Sequence, residues 1–271
     1  MYRFVNKANI KKGVFALNLN TLLQAVRDGS ISVEQAEESI SSVCCGSFPY
    51  TPAEYAGPRI INCSGRKCDE FRDMFIELAA QGDDILAIHA SPAYYRAIMQ
   101  NYRKARYNQI ARTISLQQTV PAETGLITIA VSPVAGMQPA QEAAETCQMF
   151  GAVTECIYNL DASCIGRIYA DEKIMQSSAI IAVIGTGDAL ASILANITQR
   201  PVIAVPTDSG SESCVNGIAA LLASAEAQTP GITTVGINYG FAAGYFASLI
   251  NSAIENGRKT VLQGFFRTNK G

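Results

Sequence analysis

The chain has a single histidine and no tryptophan, and it carries little charge of either sign. Its 271 residues include 21 lysines and arginines and 23 aspartates and glutamates, for a formal net charge of −2. Proteins that bind nucleic acid usually present a concentrated basic face. The one basic run here, formed by Arg103, Lys104 and Arg106, is short, and we interpret it as the solvated face of a helix. We therefore expect no nucleic-acid partner.

Long apolar runs are also missing. No stretch reaches the roughly 18 residues needed to span a bilayer, and residues 1–20 lack the continuous apolar segment of a secretory signal. We expect no membrane partner. The eight cysteines form no C-x-x-C pair, which favours reduced thiols in a cytoplasmic protein over a disulfide framework.

Metal-ligand clusters are not recognisable either, because no second histidine accompanies His89. This residue lies in an apolar, strand-like run, and we interpret it as a buried or half-buried imidazole with its hydrogen bonds satisfied. The sequence requires no cofactor, and a role for Mg²⁺ stays open.

Apolar residues are abundant, at 48% of the chain, and in the second half they form short runs between helix-length segments. This alternation predicts right-handed βαβ units and a three-layer α/β/α sandwich around a parallel sheet. The predicted strands are residues 127–131, 155–158, 180–184, 202–205 and 233–236. The predicted helices are residues 138–150, 165–177, 189–197, 215–225 and 241–255.

The first half predicts a smaller α/β unit. Two helices are expected within residues 17–43, separated by a break at Gly29 and Ser30. Further helices are expected at residues 68–81 and 92–103, and strands at residues 59–62, 85–89 and 113–116. Residues 121–125, Pro-Ala-Glu-Thr-Gly, separate the two halves. We therefore predict a helical and small α/β domain at residues 1–120 and the sandwich at residues 121–271.

Small and hydroxyl residues follow the predicted strands of the second half. Ligands of parallel sheets bind just beyond the carboxyl ends of the strands, so these turns predict one ligand site. The candidate binding residues are Ser132, Gly136, Arg167, Gly185, Thr186, Gly187, Thr207, Asp208, Ser209, Gly210, Ser211, Ser213, Asn216 and Asn238.

Two candidate catalytic residues lie in these turns, and each has a structural alternative. Asp188 is suited to proton transfer, or its carboxylate caps the next helix. Cys214 lies near the predicted start of a helix, a position that can lower the pKa of a thiol and make its thiolate a nucleophile. The structural alternative is that the Cys214 side chain only packs. In the structural alternative, the loop before Cys214 is simply solvated, and Ser213 is the N-cap of the helix. No G-x-G-x-x-G run supports hydride transfer. Gly240 and Gly244 are spaced for close helix packing.

Four segments in the second half carry a family resemblance. They are Arg-Pro-Val-Ile-Ala-Val-Pro-Thr at residues 200–207, Gly-Ile-Ala-Ala-Leu-Leu at 217–222, Pro-Gly-Ile at 230–232 and Asn-Tyr-Gly-Phe-Ala-Ala-Gly-Tyr at 238–245. Together they resemble LarB, the carboxylase family that begins nickel-pincer-nucleotide synthesis and is related to the PurE family of aminoimidazole ribonucleotide carboxylases and mutases. The resemblance covers residues 126–258. It implies a PurE-like, flavodoxin-like sandwich and a homo-oligomer, as a dimer, tetramer or octamer.

The resemblance also implies a chemistry. The family carboxylates the pyridinium ring of nicotinic acid adenine dinucleotide, with carbon dioxide or bicarbonate as co-substrate, and hydrolyses its phosphoanhydride. A cysteine adds to the electron-poor ring so that a ring carbon can attack carbon dioxide, and a carboxylate then removes the ring proton. The implied ligand is therefore a nucleotide or dinucleotide.

The chain departs from the family pattern at the reacting positions. Gln228 stands where the family has its cysteine, and Gly187 where it has its glutamate, with Asp188 one position on. Met137 and Gly166 replace a family aspartate and histidine. Our first hypothesis is a divergent enzyme in which Asp188 transfers the proton, Cys214 is the replacement thiol and Arg167 neutralises phosphate. The alternative is a non-catalytic nucleotide-binding paralogue that acts as a regulator or scaffold, and a purely structural assembly protein is a third reading.

Overall fold

The computed structural model describes residues 26–30, 32, 57–119, 124–133, 135–208 and 214–268, and it gives no side chains for residues 214–216 and 258–268. Most of the helical segment expected at residues 17–43 lies outside this description. Gly57–Gly271 form one compact unit with two sheets. The domain boundary expected after residue 120 stays a prediction. No helix within the described ranges combines the length and apolar character needed to cross a bilayer.

The smaller sheet has the strand order β1-β2-β4-β3. β1 and β2 are parallel, and the other pairs are antiparallel. Phe71 and Phe75 are fully buried and form the centre of its core. Its elements are β1 (Arg59–Asn62), α1 (Cys68–Ala80), β2 (Ile85–Ile88), α2 (Pro92–Ile98), β3 (Arg106–Asn108) and β4 (Thr113–Leu116).

The interpretation of the basic run as a helix face is wrong, although its exposure is as expected. Helix α2 ends at Ile98, five residues before Arg103, and Arg106 begins strand β3. The helix ends here because Tyr102 turns back to pack against Phe75, with ring centroids 5.5 Å apart. The three cations therefore lie on a turn and a strand.

The larger sheet confirms the predicted sandwich. Its five strands are all parallel, in the order β6-β5-β7-β8-β9. Its strands are β5 (Thr124–Val131), β6 (Ala152–Tyr158), β7 (Ala179–Ile184), β8 (Val202–Pro206) and β9 (Ile232–Thr234). Its helices are α3 (Met137–Met149), a 3₁₀ turn (Ala162–Cys164), α4 (Ile165–Ala170), α5 (Glu172–Gln176), α6 (Leu190–Thr198), α7 (Cys214–Ala225) and α8 (Gly240–Thr268).

Two buried clusters cover the two faces of the larger sheet. Successive side chains of a strand point to opposite faces, so a strand buried on both faces is apolar throughout. Ile181 and Val183 of β7 pack with helices α3 and α8, whereas Ile180 and Ala182 pack with helices α5 and α6. This double burial explains why the inner strands β7 and β8 appear in the sequence as continuous apolar runs.

The single helix expected at residues 165–177 is two helices. Asp171 adopts an extended conformation, with ψ of 103°, and its carboxylate accepts hydrogen bonds from the N–H groups of Lys173 and Ile174. An aspartate in this conformation is a strong N-cap, and its local hydrogen bonds compete with helix continuation. The chain therefore restarts as α5 at Glu172.

The two glycines of α8 confirm the expected close packing. A Cβ atom at Gly240 would overlap the carbonyl oxygen of Pro139, and one at Gly244 would lie 2.8 Å from the carbonyl oxygen of Ala143. Only glycine allows the backbones of α3 and α8 to approach this closely. This contact fixes the first turn of α8 against the first turns of α3.

Candidate functional site

The strand order places a topological switch point between β5 and β7. In a sheet of this order, the connections from these two strands leave in opposite directions and open a crevice at their carboxyl ends. Val131 lies beside Val183 in the ladder, and the N–H of Ser132 donates to the Val183 carbonyl at 3.0 Å. Ser132 is buried, and Gly136 is the N-cap residue of α3. Two predicted binding residues therefore lie at the switch point.

The ends of β8 and β9 bring three further candidates together. The side-chain Oδ1 of Asn238 accepts the N–H of Asp208 at 3.4 Å, and the N–H of Asn238 donates to Pro206 at 2.9 Å. Asn238 has φ of +56°. The hydroxyl of Thr207 is buried and donates to the Ile184 carbonyl at 3.0 Å. Thr207 therefore ties β8 to β7, while Asp208 and Asn238 form the rim.

Asp188 has two differently placed carboxylate oxygens. Its Oδ1 accepts the N–H of Leu190 at 2.9 Å, which confirms the capping interpretation. Its Oδ2 is buried and has no hydrogen-bond partner among the residues that the structure describes. Asp188 lines a small cleft together with Gly185 and Gly187, and Ser224 of α7 borders the same cleft. The free oxygen keeps the carboxylate available for a ligand proton.

The other predicted residues are placed less completely. Ser209, Gly210, Ser211 and Ser213 lie outside the described residues, and so do the side chains of Cys214 and Asn216. The backbone still locates the start of α7. A Cβ atom at Gly217 would lie 2.9 Å from Ile237 and 3.4 Å from the Cβ of Asp208. The first turn of α7 therefore lies against the same rim.

Two further candidates are exposed, and so is the residue at the position of the family's cysteine. Thr186 is exposed in the turn after β7. Arg167 is exposed on α4, and it bonds to none of the other candidates within the described ranges. Gln228 is exposed after α7. We call the rim of Ser132, Gly185, Gly187, Asp188, Asp208 and Asn238 the strand-end site.

A buried glutamate that the sequence analysis missed lies next to this rim. Glu142 of α3 has no exposed surface, and its Oε1 has no hydrogen-bond partner in the described part of the chain. Burial raises the pKa of Glu142 to about 7, while the backbone N–H groups of Phe241 and Gly240 oppose the rise. Half of these carboxyl groups are therefore protonated near neutral pH, which suits proton exchange with a ligand.

His89 is the second group that the structure brings to this region. It follows β2 with φ of +56°, and its ring centroid lies 6.3 Å from that of Tyr239, which follows Asn238. The imidazole is half-buried as expected. The expectation that its hydrogen bonds are satisfied is wrong for Nδ1, which is buried without a partner among the described residues.

The charge of Arg112 affects the pKa of both His89 and Glu142. Desolvation lowers the pKa of His89, and the positive charge of Arg112 lowers it further. The same Arg112 charge acts on the Glu142 carboxyl. Arg112 itself has φ of +54°. Strained backbone and unsatisfied buried polar atoms concentrate at functional sites, because packing must hold them in place.

A signal for Glu142 was present in the sequence. It lies three residues after Pro139 and four before Thr146 and falls on the buried face of α3, among Ala140, Ala143 and Cys147. A carboxylate on an apolar helix stripe is rarely placed there without a partner or a function. No comparable pattern surrounds His89, because its neighbour Tyr239 is 150 positions away in the sequence.

Metal donors are not grouped in the part of the chain that the structure describes. No three histidine, cysteine, aspartate or glutamate side chains there lie close enough together to bind a metal ion.

Comparison with known proteins relates part of this site to one family. The family model of AIR carboxylase matches residues 162–269, which include β7, β8, β9 and the turns that follow them. A further relative is an uncharacterized protein of Methanocaldococcus jannaschii. It is 27% identical over 251 residues, covering 86% of this chain and 96% of the relative. The strand-end site thus lies largely in a segment with PurE-like, AIR carboxylase sequence character.

Proposed function

We propose that the protein is a divergent LarB/PurE-type enzyme that acts on a nucleotide or pyridinium dinucleotide by carboxylation, decarboxylation or a mutase reaction. One observation carries this proposal. The AIR carboxylase match covers three neighbouring strands, and their carboxyl-end turns supply Gly185, Gly187, Asp188, Asp208 and Asn238 to one rim. The resemblance to LarB makes nicotinic acid adenine dinucleotide the first substrate to test.

The described side chains support a division of roles. The glycines after β7 let a ligand approach the backbone, and the N-terminus of α3 at Gly136 offers N–H groups to a phosphate. Asp188 has one oxygen engaged and one free, which suits a carboxylate that removes a ring proton. We assign the proton transfer to Asp188 and the nucleophilic thiol to Cys214, at the first residue of α7.

Carbon dioxide fixation places a second demand on the site. As the new carbon–carbon bond forms, negative charge develops on the oxygens of the carboxylate, and a protonated group nearby stabilises that charge. Glu142, with a pKa of about 7, can supply a proton at neutral pH, whereas the lowered pKa of His89 keeps that imidazole neutral. We propose Glu142 as the acid and His89 as a neutral hydrogen-bonding group.

Incorporation of labelled bicarbonate tests the proposal. The full chain is incubated with ¹³C-bicarbonate and either nicotinic acid adenine dinucleotide or aminoimidazole ribonucleotide, and the nucleotides are analysed by mass spectrometry. We expect label in one product, and we expect its loss in Asp188→Asn and in Cys214→Ala. Cys164→Ala, a half-buried thiol beside the 3₁₀ turn, is the matched control and should keep the activity. Absence of label from every nucleotide contradicts the carboxylase.

A second function is favoured by one observation. Gln228 is exposed where the family has its cysteine, and an amide cannot form the covalent adduct. A non-catalytic paralogue that binds nucleotide as a regulator or scaffold fits this substitution. Calorimetric titration separates the two readings, because binding of the dinucleotide without turnover supports the paralogue. Absence of binding rejects both.

We also propose a cytoplasmic homo-oligomer. Ile218 and Leu222 lie one turn apart on α7 with about half of their surface exposed, at 51% and 56%, and Phe246 of α8 is 51% exposed. Large apolar side chains this exposed commonly mark contacts between protein chains. Sedimentation velocity over a range of concentrations tests this, and a monomer throughout contradicts it.

A further inference from the structure

A cleft with an uneven charge lies beside the C-terminal half of α3. It has a volume of about 440 Å³ and is lined by Arg103, Lys104 and Arg106 on one side and by Glu145 and Gln148 on the other. Its volume falls in the range of small-molecule sites, about 300–1,000 Å³. We call it the basic cleft.

The sheet register explains how its walls form. Arg106 of β3 pairs with Ser115 of β4, and directly opposed residues project to the same face of a sheet. The alternate residues Ile114 and Leu116 enter the core of the smaller sheet. β4 therefore presents a polar face, and the basic cleft lies between this face and α3.

The three cations are not neutralised by ion pairs within the described part of the chain. None of them forms an ion pair or side-chain hydrogen bond with another described residue. The single carboxylate of the cleft, Glu145, accepts a hydrogen bond from the amide of Asn108 at 3.0 Å. The cleft therefore has a surplus of positive charge in a chain whose net charge is −2. Such a surplus attracts anions and loses affinity for them as salt rises.

The basic cleft is separate from the strand-end site. α3 starts at Gly136, at the carboxyl ends of the strands, and runs back along the sheet. Glu145 lies nine residues farther on, about 13 Å along the helix axis, and Met149, which also lines the cleft, lies farther still. A ligand in the cleft does not reach the turn after β7 unless it is extended.

We propose that the basic cleft is a second ligand site, which takes a phosphorylated small molecule with two or more negative charges. Arginine guanidinium groups match phosphate oxygens in pairs, and Lys104 adds a point charge. Ser115 and Gln148 offer hydrogen bonds to a neutral polar portion of the ligand. Three cations in one cleft are too few for the extended contacts of nucleic acid, so the class is a small molecule.

Calorimetric titration of the full chain tests the proposal with three probes. Inorganic pyrophosphate and ADP should bind, more weakly at 300 mM than at 50 mM salt, and adenosine should not. The variant Lys104→Gln with Arg106→Gln should weaken pyrophosphate binding about tenfold or more, because it removes two charged hydrogen-bond donors from the cleft. Lys67→Gln with Arg96→Gln removes the same two charges from exposed positions outside the cleft and should leave the affinity unchanged.

Acetylation of lysines gives a second measurement that needs no variant. Pyrophosphate should slow the acetylation of Lys104 and not that of Lys67, as measured by mass spectrometry. Absence of pyrophosphate binding, an unchanged affinity in the cleft variant, or equal protection of both lysines overturns the proposal. Tighter binding of a twelve-nucleotide RNA, lost in the same variant, overturns it in favour of a nucleic-acid surface. None of these results depends on bicarbonate incorporation, so the proposal stands or fails apart from the carboxylase.

Discussion

Replacing Glu142 by glutamine tests the reasoning about this carboxyl group. Burial raises its pKa from 4.5 to about 7. The folded state therefore binds the proton more tightly than the unfolded state does. The resulting stabilisation is complete below pH 4.5 and is lost as the pH rises through about 7. Glutamine has nearly the same shape and stays neutral, so Glu142→Gln reproduces the protonated group at every pH.

The magnitude follows from the two pKa values. Each unit of difference corresponds to about 1.36 kcal/mol once both states are ionised. Between pH 5 and pH 8.5, ionisation of Glu142 should reduce the free energy of unfolding of the natural protein by about 2–3 kcal/mol. The glutamine variant lacks this loss. The amide N–H groups of the glutamine add a pH-independent difference to the free energy of unfolding. This difference cancels when the values at the two pH values are subtracted.

Urea denaturation of both proteins at pH 5 and pH 8.5, at one protein concentration, measures the difference. Relative to the natural protein, we expect the free energy of unfolding of the variant to rise by about 2–3 kcal/mol over this range. Glu145→Gln, one turn along α3 at a half-buried position, reports the effect of removing one charge from the helix. A gap between Glu142→Gln and the natural protein that is equal at both pH values would refute the reasoning.

Three further predictions concern other parts of the molecule. Gly240→Ala should reduce the free energy of unfolding by about 1–3 kcal/mol, because the added Cβ overlaps the Pro139 carbonyl. Gly257→Ala, in open space on the same helix, should cause no such reduction, and urea denaturation compares the two variants. Asp171→Ala should cost about 1 kcal/mol by removing the cap of α5, and Asp171→Asn should recover most of it, as measured by thermal unfolding. His89 is the only histidine of the chain, so a single imidazole NMR signal should titrate, with its midpoint below pH 6.5. Arg112→Gln should raise that midpoint, because it removes a positive charge. A midpoint above pH 6.5 in the natural protein contradicts the burial of the ring.

The large sheet could be predicted from the sequence because its inner strands are buried on both faces. A run such as residues 180–184 has no polar residue to interrupt it, and glycine or hydroxyl residues follow β5, β7 and β8. The turn after β7 and the rim at Asp208 and Asn238 could be predicted as candidate positions because ligands bind at the carboxyl ends of parallel strands. Helix ends were less predictable, since Asp171 and Tyr102 act through hydrogen bonds and packing that the apolar pattern does not contain.

The rest of the site depends on contacts between distant segments. His89 and Tyr239 meet across the two sheets, and Glu142 loses its solvent only when α8 covers α3. Burial of this kind raises or lowers a pKa without leaving a mark in the local sequence. The basic cleft was missed for the same reason. Arg103, Lys104 and Arg106 were recognised as a group, but the wall that faces them comes from α3.

A crystal structure with a bound nucleotide tests the central claim most directly. We predict density for the ligand beyond the ends of β5, β7 and β8, with a phosphate near Gly136 or Gly185 and the base or pyridinium ring within hydrogen-bond distance of Asp188. Asn238 should border the same density. A nucleotide bound only elsewhere on the protein, with the strand ends filled by their own side chains, would contradict the account.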